Sequence, residues 1–384
     1  MSKDMIRLGD VATYVNGYAF KPEDRGNVGL PIIRIQDLTG HAYDLGFYDG
    51  EYPSKIEINN GDILISWSAS LGVYVWDKGK ALLNQHIFKV VFDKVDIDKK
   101  YFVYAVRRKL DEMVMKTHGA TMKHIVKKDF DETKIPYPTM EEQIEIAKKL
   151  DKVLYIIQKR KQELELLDDL IKARFVELFG NLDINDKGWN ECSLGEACDK
   201  VIRYPTFYGM DYLETGTRVI RIGNILEDGH MELADENYVF VYDGVNEDFP
   251  ETVMELNDIV MAVRGDGSAA KRIGIIREEE LIDSNISPNL IRIKAGKELE
   301  PLFLFYYLTG DVGQRRLDAY VNKTAKKNIA AKDIVKVIVP IPPLLVQKQF
   351  TDFVNQVDKS KVVVQKALDE AQLLFDSLMQ EYFG

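Results

Sequence analysis

Two ordered series of matching segments run through the chain, and this internal repeat restricts its fold more than any other feature. Leu8-Gly9-Asp10 returns as Leu194-Gly195-Glu196. Ile32-Ile33-Arg34-Ile35-Gln36-Asp37-Leu38 returns as Val219-Ile220-Arg221-Ile222-Gly223-Asn224-Ile225, and Gly61-Asp62-Ile63-Leu64-Ile65 as Asn257-Asp258-Ile259-Val260-Met261. Later matches keep a fixed offset of 204 residues: Ile125 with Ile329, Pro136 with Pro340, Pro138 with Pro342, Gln143 with Gln347, and Phe179-Gly180 with Phe383-Gly384. The first offset is shorter, at 186, so the second copy carries a longer insertion in its middle. A chain of 384 residues has room for two cores, and the repeat says that each copy builds one.

Both copies follow one internal order. Short alternating or apolar runs bounded by Gly, Asn and Asp come first and read as strands and hairpins. A helical stretch near Tyr101–Met115, or Leu302–Tyr320, follows. A basic loop then leads to a Pro-bounded strand, where proline disfavours helix in the residue before it, and a long helix closes the copy. The expected division is residues 1–139 as a first domain, 140–180 as a first long helix, 181–340 as a second domain and 341–384 as a second long helix. The expected fold class is α+β: two pseudo-repeated mixed domains separated by two long antiparallel helices in a coiled coil.

The helices carry their own signature. From Met140 to Leu178 there is neither Pro nor Gly, and Leu150, Ile157, Leu164, Ile171 and Leu178 recur every seven residues. In the second helix Val354, Leu368 and Phe375 form one row and Val357, Val364 and Leu378 a parallel one, with Lys361 interrupting the first. Sustained heptads are the mark of a coiled coil, and a polar residue in such a row fixes register. Packing of each helix on its own domain is the competing explanation. At about 1.5 Å per residue, some 40 residues make a rod of about 60 Å. Such a rod spans no more than about 18 base pairs at about 3.4 Å each.

Net charge is −11 overall, which argues superficially against a polyanionic ligand. The distribution is uneven: residues 1–139 carry 20 Lys and Arg against 19 Asp and Glu, whereas 181–340 carry 19 against 28. Weak non-specific DNA binding, aided by a more basic partner, is the expectation. No apolar run reaches the length of about 20 residues that spans a bilayer, and the first residues lack a signal-peptide pattern. Cys192 and Cys198 match neither a metal knuckle nor a redox pair, which suggests reduced thiols in a cytoplasmic protein.

Pro136-Tyr137-Pro138-Thr139-Met140-Glu141-Glu142-Gln143-Ile144 and Pro342-Pro343-Leu344-Leu345-Val346-Gln347 resemble the start of the long helices in type I restriction–modification specificity subunits. Phe175-Val176-Glu177-Leu178-Phe179-Gly180, then Lys187-Gly188-Trp189 and Leu194-Gly195-Glu196, resemble that family's join between first helix and second recognition domain. The second copy departs in having Val346 where Glu precedes the Gln. The resemblance implies a subunit without a catalytic site or cofactor of its own that binds a bipartite, asymmetric double-stranded DNA target. It implies two modification subunits, which use S-adenosylmethionine to methylate adenine, and optionally two restriction subunits that translocate and cut DNA. It also implies that the helices offer docking surface, with Lys148, Lys149, Lys159, Arg160 and Arg174 facing partners; a plain solvated face is the alternative.

Sequence readout needs side chains that reach base edges, with phosphate contacts for positioning. Three places in each copy supply them. The loop after Ile65 offers Ser66, Ser68 and Ser70, and its counterpart offers Arg264, Lys271 and Arg272; a simple hairpin turn is the alternative. The basic loop offers Thr121, Lys123 and His124, matched by Lys323, Thr324, Lys326 and Lys327, as phosphate clamps. The aromatic loops near each domain's start offer Tyr18 and Lys21, and Arg203, Tyr204 and Tyr208, followed by Arg34, Gln36, Arg221 and Asn224 on the next strand. Gln85-His86 and Asn285 lie on a later strand. For the strand residues, buried hydrogen bonding competes with a DNA role.

Enzymatic signatures are weak. Gly265-Asp266-Gly267 precedes Lys271 at the wrong spacing for a P-loop, and Ser287-Pro288-Asn289-Leu290 is a distant echo of an amino-methyltransferase tetrad. Glu132-Thr133-Lys134 lacks the Pro-Asp element of a nuclease, and the five histidines show no metal spacing. Two rival readings stay open: a coiled-coil scaffold, and a stand-alone DNA-acting enzyme with scattered carboxylates.

Overall fold

The computed structural model describes residues 4–40, 44–116, 126–203, 211–263, 272–322 and 328–384. It divides into two compact units, Met1–Gln162 with Val364–Gly384, and Glu163–Val363. Each unit takes one globular domain together with half of each long helix.

In the first unit, a four-stranded antiparallel sheet runs in the order Thr13–Asn16, Ile87–Val91, Ile63–Ser66, Gly72–Val75. A second sheet runs Phe47–Tyr48, Leu30–Ile33, Ala81–Leu83, Glu57–Ile58, with its central pair parallel. Met5–Arg7 pairs with Lys134–Pro136 and ties the start of the domain to its end. The Ile63–Ser66 strand is buried throughout. Side chains alternate across a strand. Ile63 and Ile65 accordingly enter the core that contains the helices, while Leu64 enters the core under the second sheet.

The second unit repeats this plan. Its four-stranded sheet runs Cys198–Arg203, Leu290–Ala295, Ile259–Ala262, Ile273–Ile275, and its second sheet Val239–Val241, Thr217–Ile220, Asn285–Ile286. Asn190–Ser193 with Ile338–Ile341 forms the closing pair. Ile259 and Met261 again face the helix-side core, and Val260 and Ala262 the other. The strand beside this one in each sheet, Ile87–Val91 or Leu290–Ala295, carries a cation at the same register. Lys89, opposite Leu64, reaches Asp62 at 2.9 Å and the Glu57 carbonyl at 2.8 Å. Arg292, opposite Val260, donates to Asp258 at 2.7 Å, Glu255 at 2.6 Å and the Glu251 carbonyl at 3.1 Å.

The long helices, Met140–Phe179 and Leu344–Phe383, are 40 residues each. In the first unit Leu150, Val153 and Ile157 share a core with Ala371, Phe375, Met379 and Phe383, and Leu368 and Leu378 pack against it half-buried. In the second unit Ile171 shares a core with Val354 and Val357, and Leu178 packs against it. Phe175 meets Phe350, with ring centroids 5.3 Å apart, and Lys361 pairs with Asp168. One helix therefore ascends as the other descends, the antiparallel arrangement. Leu164 is half-buried and Val364 buried. Lys361 keeps its side chain 18% exposed while paired to Asp168, so the break in the apolar row is filled by an ion pair.

The repeated Gln fixes each helix to its domain. Gln143 is 1% exposed; its Oε1 accepts from the Asp98 amide and its Nε2 donates to the Pro138 carbonyl, both at 2.9 Å. Gln347 is fully buried; its Oε1 accepts from the Glu300 amide at 2.8 Å, and its Nε2 donates to Glu298 and Pro342 at 2.9 and 2.7 Å. Asp98 and Glu300 stand at the starts of the domain helices, Lys99–Lys116 and Pro301–Thr309. Each Gln thus occupies orphan backbone groups at a helix N-terminus. Val346 leaves this arrangement untouched, since the Gln alone makes these bonds.

Candidate nucleic-acid interface

In the first unit three of the singled-out segments converge at one end of the sheets. Gly17 donates to the Ile87 carbonyl, Tyr18 donates to Leu83, and Gln85 donates back to Tyr18, at 3.1, 2.8 and 2.9 Å. The Trp67 amide donates to the His86 carbonyl at 3.3 Å, and the two rings lie 4.9 Å apart. In the second unit the flanks of the corresponding loops meet in the same way. Val263 donates to Asn289 at 2.9 Å, Ile329 donates to Val263 at 3.0 Å, and Arg203 Nε donates to the Pro288 carbonyl at 3.1 Å. Arg203, Val263 and Ile329, which flank the candidate segments, are therefore drawn together around Pro288 and Asn289.

The described candidates fall into two groups. Tyr18, Lys21, Gln36, Ser70 and Arg203 are exposed, and Ser68 is half-buried. Tyr18 presents its ring edge to Phe20 at 5.0 Å, and Lys21 lies 4.0 Å from Glu23. The second group is turned into the protein. Ser66 is buried, and its hydroxyl donates to the Ser70 carbonyl, closing a turn in which Ala69 takes φ +60°. Here the hairpin alternative describes what is seen.

Arg34 keeps a side chain 12% exposed, donates to Asp37 at 3.1 Å and to the Asp44 carbonyl, and is held charged chiefly by the Asp37 bond. Asn224 is 2% exposed; its Oδ1 accepts from the Arg221 amide at 2.8 Å and its Nδ2 donates to the Asn237 carbonyl at 2.9 Å. Arg221 and Arg272 donate to the carbonyls of Asn237 and Ile225 at 3.4 and 3.2 Å. Asn285 is buried and bonded to Thr252 and Asn246. Arg34 and Arg221 stand just past the ends of their strands, each at the start of a short helical turn, Gln36 and Asn224 lie within those turns, and apart from the exposed Gln36 these residues take the hydrogen-bonding role. The signal was in the sequence: Asp37 and Asn224 stand three residues after Arg34 and Arg221, the spacing of a side chain that reaches back to a helix-start amide. Thr121, Lys123, His124, Tyr204, Tyr208, Arg264, Lys271, Lys323, Thr324, Lys326 and Lys327 lie outside the described residues.

Among the described residues no group of His, Cys, Asp and Glu is placed to hold a metal ion, and no helix is long and apolar enough to cross a membrane. Cys192 and Cys198 are free thiols; burial pushes both up, Cys198 to about 12, so neither forms a ready thiolate.

A duplicated pair of mixed domains, joined by two long antiparallel helices and each bringing residues that flank its candidate segments together at one end, defines a class of two-site recognition proteins. The family described as "Type I restriction modification DNA specificity domain" matches residues 2–166 and 186–371, and the chain belongs to this family. It is 27% identical over 407 residues to the type I restriction enzyme EcoBI specificity subunit of Escherichia coli, covering 98% of this chain and 83% of that protein. It is 23% identical over 397 residues to the type I restriction enzyme MjaVIII specificity subunit of Methanocaldococcus jannaschii, covering 96% and 89%. Among solved structures, the type I restriction–modification S subunit from M. genitalium superposes with a TM-score of 0.56 at 17% identity, over 100% of this chain and 97% of that one. A chain from a structure described as the "Structural basis underlying complex assembly and conformational transition of the type I R-M system" gives 0.61 at 17%, over 100% and 98%. At that identity these likenesses bear on the fold.

Proposed function

We propose that this chain is the sequence-reading subunit of a type I restriction–modification complex. It binds a bipartite, asymmetric duplex target, one half-site per globular unit, and directs adenine methylation there by modification subunits that carry S-adenosylmethionine. Two modification subunits are expected, and restriction subunits join when the system cuts DNA. Catalysis resides in those partners. The observation that carries the reading is the repeated scaffold, which in each unit brings residues flanking the candidate segments together at one end, with different side chains in the two copies. Identical scaffolds place the loops alike, while different loops read different bases. The absence of a strongly basic balance fits a subunit that relies on its partners for part of its phosphate contact.

The test is selection of duplexes from a randomised pool by the chain assembled with its modification subunit. Two short unlike motifs at a fixed separation are expected. A single contiguous motif, or none, would overturn the proposal.

A further inference from the structure

Resting on the reading above, we infer that a three-residue corner in each unit, Asn84-Gln85-His86 and Ser287-Pro288-Asn289, is a specificity-determining edge, with Gln85 and Asn289 each reading one base pair of its own half-site. The two corners are structurally equivalent. Each leads into the strand that begins at Ile87 or Leu290, and those residues face Ser66 and Ala262 at matching registers. The Asn84 amide donates to Ile33 as the Ser287 amide does to Ile220, at 3.0 and 2.9 Å. The carbonyls of His86 and Asn289 accept from Trp67 and Val263, the first residues after the central strands.

The first corner is costly to build. His86 takes φ +71°, a region that side chains rarely adopt, and its Nδ1 is buried without a partner. Gly17 approaches so closely that a Cβ there would lie 1.9 Å from the Asn84 carbonyl oxygen. Strain of this kind persists where the surroundings over-determine it, and it collects at functional sites. What the corner holds in place is Gln85, exposed beside the exposed Tyr18, with its backbone N–H donating both to the Tyr18 carbonyl and to Asn84 Oδ1. The second corner presents Asn289, also exposed. A carboxamide offers a donor and an acceptor side by side, the pattern that matches the adenine edge in the major groove. A fixed backbone beneath it gives that pairing its discrimination. Gln and Asn arise from neighbouring positions of the corner, so the two units read with different reach.

The test uses the chain assembled with its modification subunit and a panel of duplexes, each differing from the selected target by one base pair. Gln85→Ala should lose discrimination at one position of one half-site, a drop from about ten- to a hundredfold preference to near none, and leave the other half-site unchanged. Asn289→Ala should do the same in the opposite half. Gln85→Glu keeps the length, removes the donors, and should shift the preference at that position towards a pair offering a donor, as cytosine does. Variant patterns that superimpose on the unsubstituted pattern would overturn the inference while leaving the proposed function standing, and so would uniformly weaker binding with the pattern intact. A flat pattern for the unsubstituted complex would overturn both.

Discussion

Replacing Gln347 by Ala removes the partner of one amide and two carbonyls at the junction between helix and domain. Glu298 is exposed and its carbonyl can recruit water, whereas Pro342 is buried and Glu300 half-buried. Each backbone group left unsatisfied costs about 1–3 kcal/mol when water cannot reach it, so the loss is about 2–4 kcal/mol. In a unit of this size 1 kcal/mol moves the midpoint by about 2–4 °C, which places the expected shift near 10 °C. Gln143 makes two bonds to half-buried groups and should cost less, about 1–2 kcal/mol on the same scale. Gln347→Glu retains the acceptor but sets carboxylate oxygens against two carbonyls, and should be at least as damaging as Ala. Urea unfolding of the full chain, followed by circular dichroism, measures all three. A Gln347→Ala change smaller than about 0.5 kcal/mol, in the range of ordinary surface substitutions, would refute the reasoning. A Gln347→Glu variant more stable than Gln347→Ala would do the same.

The buried cation offers a second check. Arg292→Ala strands Asp258 and should cost about 3–5 kcal/mol, while Arg292→Met paired with Asp258→Leu should recover much of it, as read from denaturant midpoints. Glu255 is drawn down to about 2 by its bonds to Lys294 and then Arg292, so its contribution is complete above the unfolded value near 4.5 and is lost as pH falls through about 2. Asp258, which burial raises, works in the opposite sense despite sharing the same Arg292. Glu255→Gln should therefore flatten the acid-side fall of the thermal midpoint, and an unchanged slope would contradict that assignment. Inserting one heptad into each long helix adds about 10 Å at about 1.5 Å per residue. That should lengthen the unread spacer by about three base pairs at about 3.4 Å each, measured by duplex selection.

Much of the architecture was legible because it is written by spacing. The fixed offset of 204 exposed the duplication, the prolines before Met140 and Leu344 marked the helix starts, and the heptads named residues that share a core, such as Leu150 and Ile157 with Phe375, and Ile171 with Val354. Composition could not separate residues of like chemistry. Arg34 and Arg221 carry the same guanidinium as any base reader, and only their partners, Asp37 and Asp44 for Arg34 and the Asn237 carbonyl for Arg221, turn them inward. Gln143 and Gln347 stood out as motif residues, but their bonds run to backbone groups 45 to 49 residues away, a pairing that local pattern does not reveal. The equivalence of the corner at Asn84–His86 with Ser287–Asn289 was hidden for a related reason. The two segments have no identical residue at matching positions, and backbone register alone makes them equivalent.

The central claim, that this chain supplies the target sequence for partners that methylate, is tested most directly by a genome-wide methylation profile. Cells expressing the chain with the modification subunit would be compared with cells lacking either one. A new two-part adenine-methylation motif is expected, and it disappears when either protein is omitted. A motif that persists without this chain would contradict the claim.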